Sequence, residues 1–321
     1  MMLSRSLTAG LLAVLTSLAL PVSESYAAAP QVKTSAPGYY RTMIGDFEVT
    51  ALSDGTYELP VDKLLTNISQ ANIAQSLEKA HQHSPLETSF NGYLVNTGSK
   101  LVLIDTGAGA MFGERLGKLA ANLKAAGYSP DQVDEIYITH MHMDHVGGLV
   151  SEGKLVFPNA IVRADQHDAD FWLSQANMDK APQEAKGFFQ GAMTALNPYI
   201  QAGHFKPFNG NTELQPGINA IAAYGHTPGH TVYQVESKGQ KLLLVGDLIH
   251  VAAVQFPQPQ ITIHFDTDSK AAAAQRKKNF DAAVKSGALI GGAHLSFPGI
   301  GYLNAQGKSY IYSPINYSPL K

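Results

Sequence analysis

Thr139-His140-Met141-His142-Met143-Asp144-His145-Val146-Gly147-Gly148 packs three imidazoles and a carboxylate into the six residues from His140 to His145. The residues just before it, Val133-Asp134-Glu135-Ile136-Tyr137-Ile138-Thr139, alternate and are rich in β-branched side chains, so they predict a strand whose carboxyl end releases the polar group onto a loop. Loops held there by a rigid sheet are where ligand sites collect. An H-x-H pair on extended backbone projects both rings to one side, whereas the adjacent Asp144 and His145 must diverge. One ion cannot easily take all four groups, but two neighbouring ions could. The plain alternative is a hydrogen-bonded histidine cluster, and this density followed by Gly-Gly argues against it.

Working outward, the same arrangement recurs. Ile218–Tyr224 reads as a strand running into Gly225-His226-Thr227-Pro228-Gly229-His230. Lys241–Val245 runs into Gly246-Asp247, and Ala288–Ala293 ends at His294. Four strand ends therefore deliver metal-type ligands: His140, His142, Asp144 and His145; either His226 or His230; Asp247; and His294. A fifth strand, Lys100–Ile104, ends at Asp105, read either as a carboxylate that orients a ligand imidazole or as a turn cap. His81 and His83 repeat the H-x-H spacing without the carboxylate and glycines, and read as surface histidines.

Between these points, Gly38–Pro60 predicts a hairpin turning at Ser53-Asp54-Gly55. Phe112–Ala126 has apolar residues at helical spacing and leads through Gly127 into the metal-type strand, a β-α-β passage. Further helices are predicted over Asp165–Gln175, which holds the single tryptophan, Trp172, and over Glu184–Leu196 and Lys270–Ser286.

With 321 residues, 45% hydrophobic and 15% charged, the chain can bury a large core, and no Pro/Ser/Gly-rich linker divides it. The formal net charge of −3 supplies no field for gathering phosphate backbones, so nucleic acid is not an expected partner. Without cysteine there is neither disulfide nor thiolate ligand, and every metal bond must come from nitrogen or oxygen. The amino terminus carries Arg5, an apolar Leu11–Leu20 run and Ala27-Ala28-Ala29, the pattern of a secretory leader. This predicts cleavage near Ala28 or Ala29, a single mature domain over residues 30–321, a periplasmic or secreted location, and no membrane association after cleavage.

The ordered H-x-H-x-D-H, G-H-T-P-G-H, G-D and strand-end histidine resemble the metallo-β-lactamase-fold hydrolases. Within them the mature chain is similar to the methyl parathion hydrolase group, including Ala36–Tyr40, Tyr93–Lys100 and His294–Gly301. The resemblance implies a four-layer αββα sandwich with the site along one edge, and a homodimer. It assigns His140, His142 and His226 to one metal, Asp144, His145 and His294 to the other, and Asp247 to both, leaving His230 a hydrogen-bonding role. Two divalent ions are expected, zinc first, with manganese, cobalt or iron also suited to nitrogen and oxygen ligands. The implied chemistry is hydrolysis by a hydroxide held between two cations.

The resemblance also implies an aromatic substrate pocket from Phe112, Trp172 and Phe189. The methyl parathion hydrolase group has small aliphatic or hydroxyl residues where this chain has His250, Ile263 and Phe265, so the pocket is expected to be narrower. A narrow slot suits the planar carbonyl of an aromatic lactone (dihydrocoumarin-like) or aryl ester better than a tetrahedral phosphotriester, which is expected as a side activity. Acyl-homoserine lactones, or metal binding without turnover, are the other readings.

Overall fold

A computed structural model describes residues 29–320. The predicted leader lies almost wholly in residues 1–28, outside the described residues. Among the described residues no helix is long and apolar enough to cross a membrane.

From Ala36 onward the chain forms one unit built on two sheets. The first contains β1 (Tyr39–Ile44), β2 (Phe47–Leu59), β3 (Leu86–Asn96), β4 (Leu101–Ile104), β5 (Glu135–Tyr137) and β6 (Ile161–Arg163), paired in that order. The second contains β7 (Thr212–Gln215), β8 (Ile218–Ala222), β9 (Thr231–Ser237), β10 (Gln240–Gly246), β11 (Leu289–Gly292), β12 (Ile300–Gln306) and β13 (Ser309–Pro314), again in chain order. Pairing is antiparallel except for β4–β5, β5–β6 and β10–β11. The first and last of these parallel pairs are joined through α2 (Leu119–Ala125) and α5 (Ser269–Ser286), after α1 (Gln70–Lys79) and, between them, α3 (Gln166–Trp172) and α4 (Lys186–Gln201).

Three apolar layers confirm the αββα sandwich. Tyr40, Val49, Tyr93 and Val102 of the first sheet meet Ile218, Tyr233, Val235 and Leu244 of the second. Leu103, Ile136 and Val162 turn the other way onto Leu119 and Leu123 of α2 and Phe189, Ala192 and Leu196 of α4. On the far side Val232, Leu243 and Ile290 pack on Phe280 and Ala283 of α5. Each central strand is thus covered on both faces, which is why its residues read as apolar runs.

Two local expectations change. The hairpin turns at Gly45-Asp46, and β2 runs on through Ser53-Asp54-Gly55 with a register shift there. Asp54 faces inward and accepts three backbone bonds, from Ala108 (2.9 Å), Gly117 (3.0 Å) and Leu119 (2.9 Å), so the apparent turn residue is an anchor. The helix expected over Phe112–Ala126 begins only at Leu119, because Gly117 sits at φ +80°, in the left-handed region that ends helices. Residues 107–117 instead form a loop pinned at its base by Asp54.

That anchor supports a prediction. Asp54→Ala leaves three N–H groups without an acceptor, those of Ala108 and Leu119 buried, and is expected to lower unfolding free energy by about 2 kcal/mol or more. Urea unfolding measures it, and a loss below about 1 kcal/mol would contradict the anchoring role.

Candidate metal centre

The carboxyl ends of the parallel strands meet along one sandwich edge. β5 is followed by the His140–His145 loop, β10 by Asp247 and β11 by His294, while the loop between β8 and β9 brings in His226. His140, His142, His226 and Asp247 each offer an atom to a first group; Asp144, His145, His294 and Asp247 form a second, all atoms in each lying within 4.8 Å of one another. Gly148 makes the tight loop possible: a Cβ there would lie 2.0 Å from the Thr106 carbonyl oxygen.

Within the first group His140 Nε2 lies 3.0 Å from His142 Nδ1, which lies 3.2 Å from His226 Nε2; Asp247 Oδ2 is 3.3 Å from His226 Nε2 and 3.5 Å from His140 Nε2. In the second, Asp247 Oδ1 is 3.2 Å from His145 Nε2 and 3.1 Å from His294 Nε2, and Asp144 Oδ2 is 3.3 and 3.5 Å from the same nitrogens. A tetrahedron of ligands about 2.0–2.1 Å from an ion has edges of about 3.3–3.4 Å. The separations match that figure.

Hydrogen bonding around the groups selects the tautomers a metal needs. His145 Nδ1 donates to Asp105 Oδ2 (2.8 Å), His226 Nδ1 to Asp266 Oδ1 (2.8 Å) and His294 Nδ1 to the Ser89 carbonyl (3.3 Å). A carboxylate or carbonyl can only accept, so each of these rings, in its neutral form, turns an Nε2 lone pair into the cluster. His145 Nε2 and Asp247 Oδ1 are buried without any hydrogen-bond partner, atoms that a cation would satisfy. Burial and the neighbouring imidazoles push His140 and His142 well below the ordinary imidazole value, keeping their lone pairs free. Burial opposes ionisation of Asp247, yet the surrounding imidazoles hold it well below the usual carboxylate range. The residues present fit two cations, with Asp247 turning one oxygen to each group.

His230 stands apart from both groups. Its Nε2 accepts from the Asp247 backbone N–H (3.1 Å), which requires neutral imidazole, and burial pushes its pKa down to about 3. Asp105, the residue read as orienter or cap, accepts from Thr139 N (2.8 Å) and Thr139 Oγ1 (2.7 Å) as well as from His145. His81 and His83 are exposed and in neither group.

Two acids had no signal in the sequence reading. Asp266 holds His226. Asp168, on α3, accepts from Met141 N (2.9 Å), Thr227 Oγ1 (3.0 Å) and Gly229 N (2.5 Å), tying the two histidine loops together.

Above the cluster opens a cavity of about 150 Å³ lined by Leu59, Phe90, Phe112, Met143, Phe188 and Phe265, with His142, Asp144, Asp247, His250 and His294 as its floor. Of the pocket residues anticipated, Phe112, His250 and Phe265 line it. Trp172, Phe189 and Ile263 lie behind the wall instead. Trp172 packs edge-on against His142 and Phe189 packs on Trp172, so Phe188 supplies the aromatic surface. Ile263 is fully buried among Leu65, Val251 and Ile261, beside Phe265. His250 does more than line: its Nε2 lies 3.1 Å from Asp247 Oδ2 and its ring stacks on His294.

A sandwich whose inner strand ends converge on five imidazoles and two carboxylates is the architecture of a two-metal hydrolase. The chain belongs to the metallo-beta-lactamase superfamily, whose sequence pattern matches residues 89–292. It is similar to a structure described as hydrolase AbOPH in the beta-lactamase superfamily, at 38% identity and TM-score 0.85, covering 89% of this chain and 100% of that one. It is also similar to AidC, a dizinc quorum-quenching lactonase, at 30% identity and TM-score 0.81, covering 88% and 99%. An N-acyl homoserine lactonase of Bacillus sp is 27% identical over 125 residues, 38% of this chain and 42% of the relative. The match thus spans about two fifths of that curated relative's length.

Proposed function

We propose that this protein is an exported, two-metal hydrolase that opens aromatic lactones or cleaves aryl esters, with organophosphate triesters as secondary substrates. The observation that carries the reading is the cavity. Its wall presents four phenylalanines, Leu59 and Met143, its floor is the ligand cluster, and among the described residues no lysine or arginine lines it. Such a site takes a neutral, flat, apolar group and offers no cationic side chain to a substrate carboxylate or phosphate.

His140, His142 and His226 would hold one ion, Asp144, His145 and His294 the other, with Asp247 shared. Bound zinc would supply an acidified water and a Lewis acid for the carbonyl oxygen. The protein's own part is positional. Phe112, Phe188 and Phe265 stack on the substrate ring and exclude water, while His250, Phe90 and Phe265 narrow the side nearest Asp247. A planar ester fits that narrowing better than a tetrahedral phosphorus bearing three substituents, the preference that separates this reading from a methyl parathion hydrolase activity. Acyl-homoserine lactones are the second reading, supported by the likeness to the dizinc lactonase and by walls that would also accept an acyl chain.

The test is a panel of dihydrocoumarin, phenyl acetate, N-hexanoyl homoserine lactone and methyl parathion on zinc-loaded and chelator-stripped protein. Dihydrocoumarin or phenyl acetate is expected to exceed methyl parathion in kcat/KM by tenfold or more, about 1.4 kcal/mol in transition-state binding, with activity lost on stripping and regained with zinc. Faster phosphotriester turnover, or ester hydrolysis indifferent to the chelator, would overturn the proposal.

A further inference from the structure

Arg276 is the largest fully buried side chain among the described residues, and no carboxylate bonds it. It projects from α5 into the segment between β10 and α5. Its Nε donates to the Leu248 carbonyl, and its Nη1 donates to the carbonyls of Pro259 (2.7 Å) and Ile261 (2.7 Å). Burial lowers its pKa only to about 10, so it carries full charge at neutral pH. Burying a cation without a carboxylate partner is strongly unfavourable, and an apolar side chain would fill a hydrophobic core without that cost. The planar guanidinium does what an apolar side chain cannot: it gathers carbonyl oxygens from separate turns into one plane.

Those carbonyls belong to a stretch with little regular structure of its own. Between Asp247 and Asp266 there is only a four-residue helix, Ala252–Gln255, and a two-residue strand, Thr262–Ile263. Yet this stretch delivers Asp247 to both metal groups, His250 and Phe265 to the cavity, and Asp266 to His226. Gln255 adds a second tie, accepting from His250 N (2.8 Å) and Val251 N (3.0 Å) and donating to Ile261 O (3.1 Å).

We infer that Arg276 is the positioning residue for this half of the site: by fastening the carbonyls of Leu248, Pro259 and Ile261 to α5 it sets where Asp247, His250, Phe265 and Asp266 stand. The inference deepens the two-metal hydrolase reading and rests on it for its functional consequence.

The experiment compares zinc-loaded wild type, Arg276→Met, Arg276→Lys and Val235→Ala, the last a truncation between the two sheets that controls for lost stability alone. Hydrogen exchange in residues 248–266 of Arg276→Met is expected to rise by on the order of tenfold over Val235→Ala compared at equal Tm loss, with no such excess in α4. Zinc per chain should fall, KM for the aryl substrate should rise more than kcat falls, and Arg276→Lys, able to reach fewer carbonyls, should lie between. If Arg276→Met does not fold, Arg276→Lys carries the comparison. Exchange and zinc content indistinguishable from the Val235→Ala control would overturn the inference. If wild type proves not to hydrolyse these substrates, the exchange result still decides the role of Arg276, so the two failures are separable.

Discussion

Asp247→Ala is expected to cut kcat/KM by on the order of 10³-fold, the loss that follows when several kcal/mol of cation-based stabilisation disappears. The reason is its place in both ligand groups. Five imidazoles and two carboxylates would hold two dications, so removing Asp247 halves the formal negative charge of the set and deprives both groups of a ligand at once. Oδ2 faces His140 and His226, Oδ1 faces His145, and His294 Nε2 lies against both oxygens (3.1 and 3.2 Å); among the described residues only Asp247 belongs to both groups. Bound zinc should drop from about two per chain to one or fewer. Asp247→Asn, which keeps one oxygen in place, should lose less metal than the alanine variant. Metal analysis with kinetics on the same sample is the measurement, and an alanine variant with full zinc and activity within tenfold of wild type would remove Asp247 from the centre.

The ligand positions were legible because each falls directly after a strand, where local pattern marks both the strand and its exit. The choice between His226 and His230 was not. Both follow the same strand, and they separate only because the Asp247 backbone N–H, 17 residues further on, captures His230 Nε2. Asp266 and Asp168 were invisible for a related reason: the histidine and histidine-loop groups that give them their roles lie tens of residues away, and nothing local marks either acid as buried. Asp54 misled outright, since Ser-Asp-Gly is turn chemistry and the bonds to residues 108, 117 and 119 that override it are long-range. Phe188 and Phe189 show the limit on pocket reading. Neighbouring residues on a helix point about 100° apart, and composition cannot say which of two adjacent rings faces the substrate. The layered fold was easier, because strands covered on both faces must be apolar throughout.

Asp105 and Asp266 offer a way to address the two metal positions separately, since Asp105 holds only His145 and Asp266 only His226 among the ligands. Asp266→Ala should weaken the ion at His140, His142 and His226 by about 10–100-fold, the usual cost of removing a carboxylate behind a ligand imidazole. At Asp105 the informative change is to asparagine. Asp105 adopts a left-handed backbone (φ +59°) that asparagine tolerates, and its Oδ1 must remain an acceptor because Thr139 N–H points at it from 2.8 Å. The amide nitrogen is then forced toward His145 Nδ1. Two donors cannot face each other, so His145 must move its proton to Nε2, the atom directed into the second ligand group. Asp105→Asn is therefore expected to weaken that ion by at least about 100-fold while stability changes little. Asp105→Ala should also destabilise the fold, by about 1–3 kcal/mol for the orphaned Thr139 N–H. Zinc titration against a competing chelator, with urea unfolding on the same variants, distinguishes these effects. Wild-type affinity at both positions in Asp105→Asn would mean that His145 does not bind metal through Nε2.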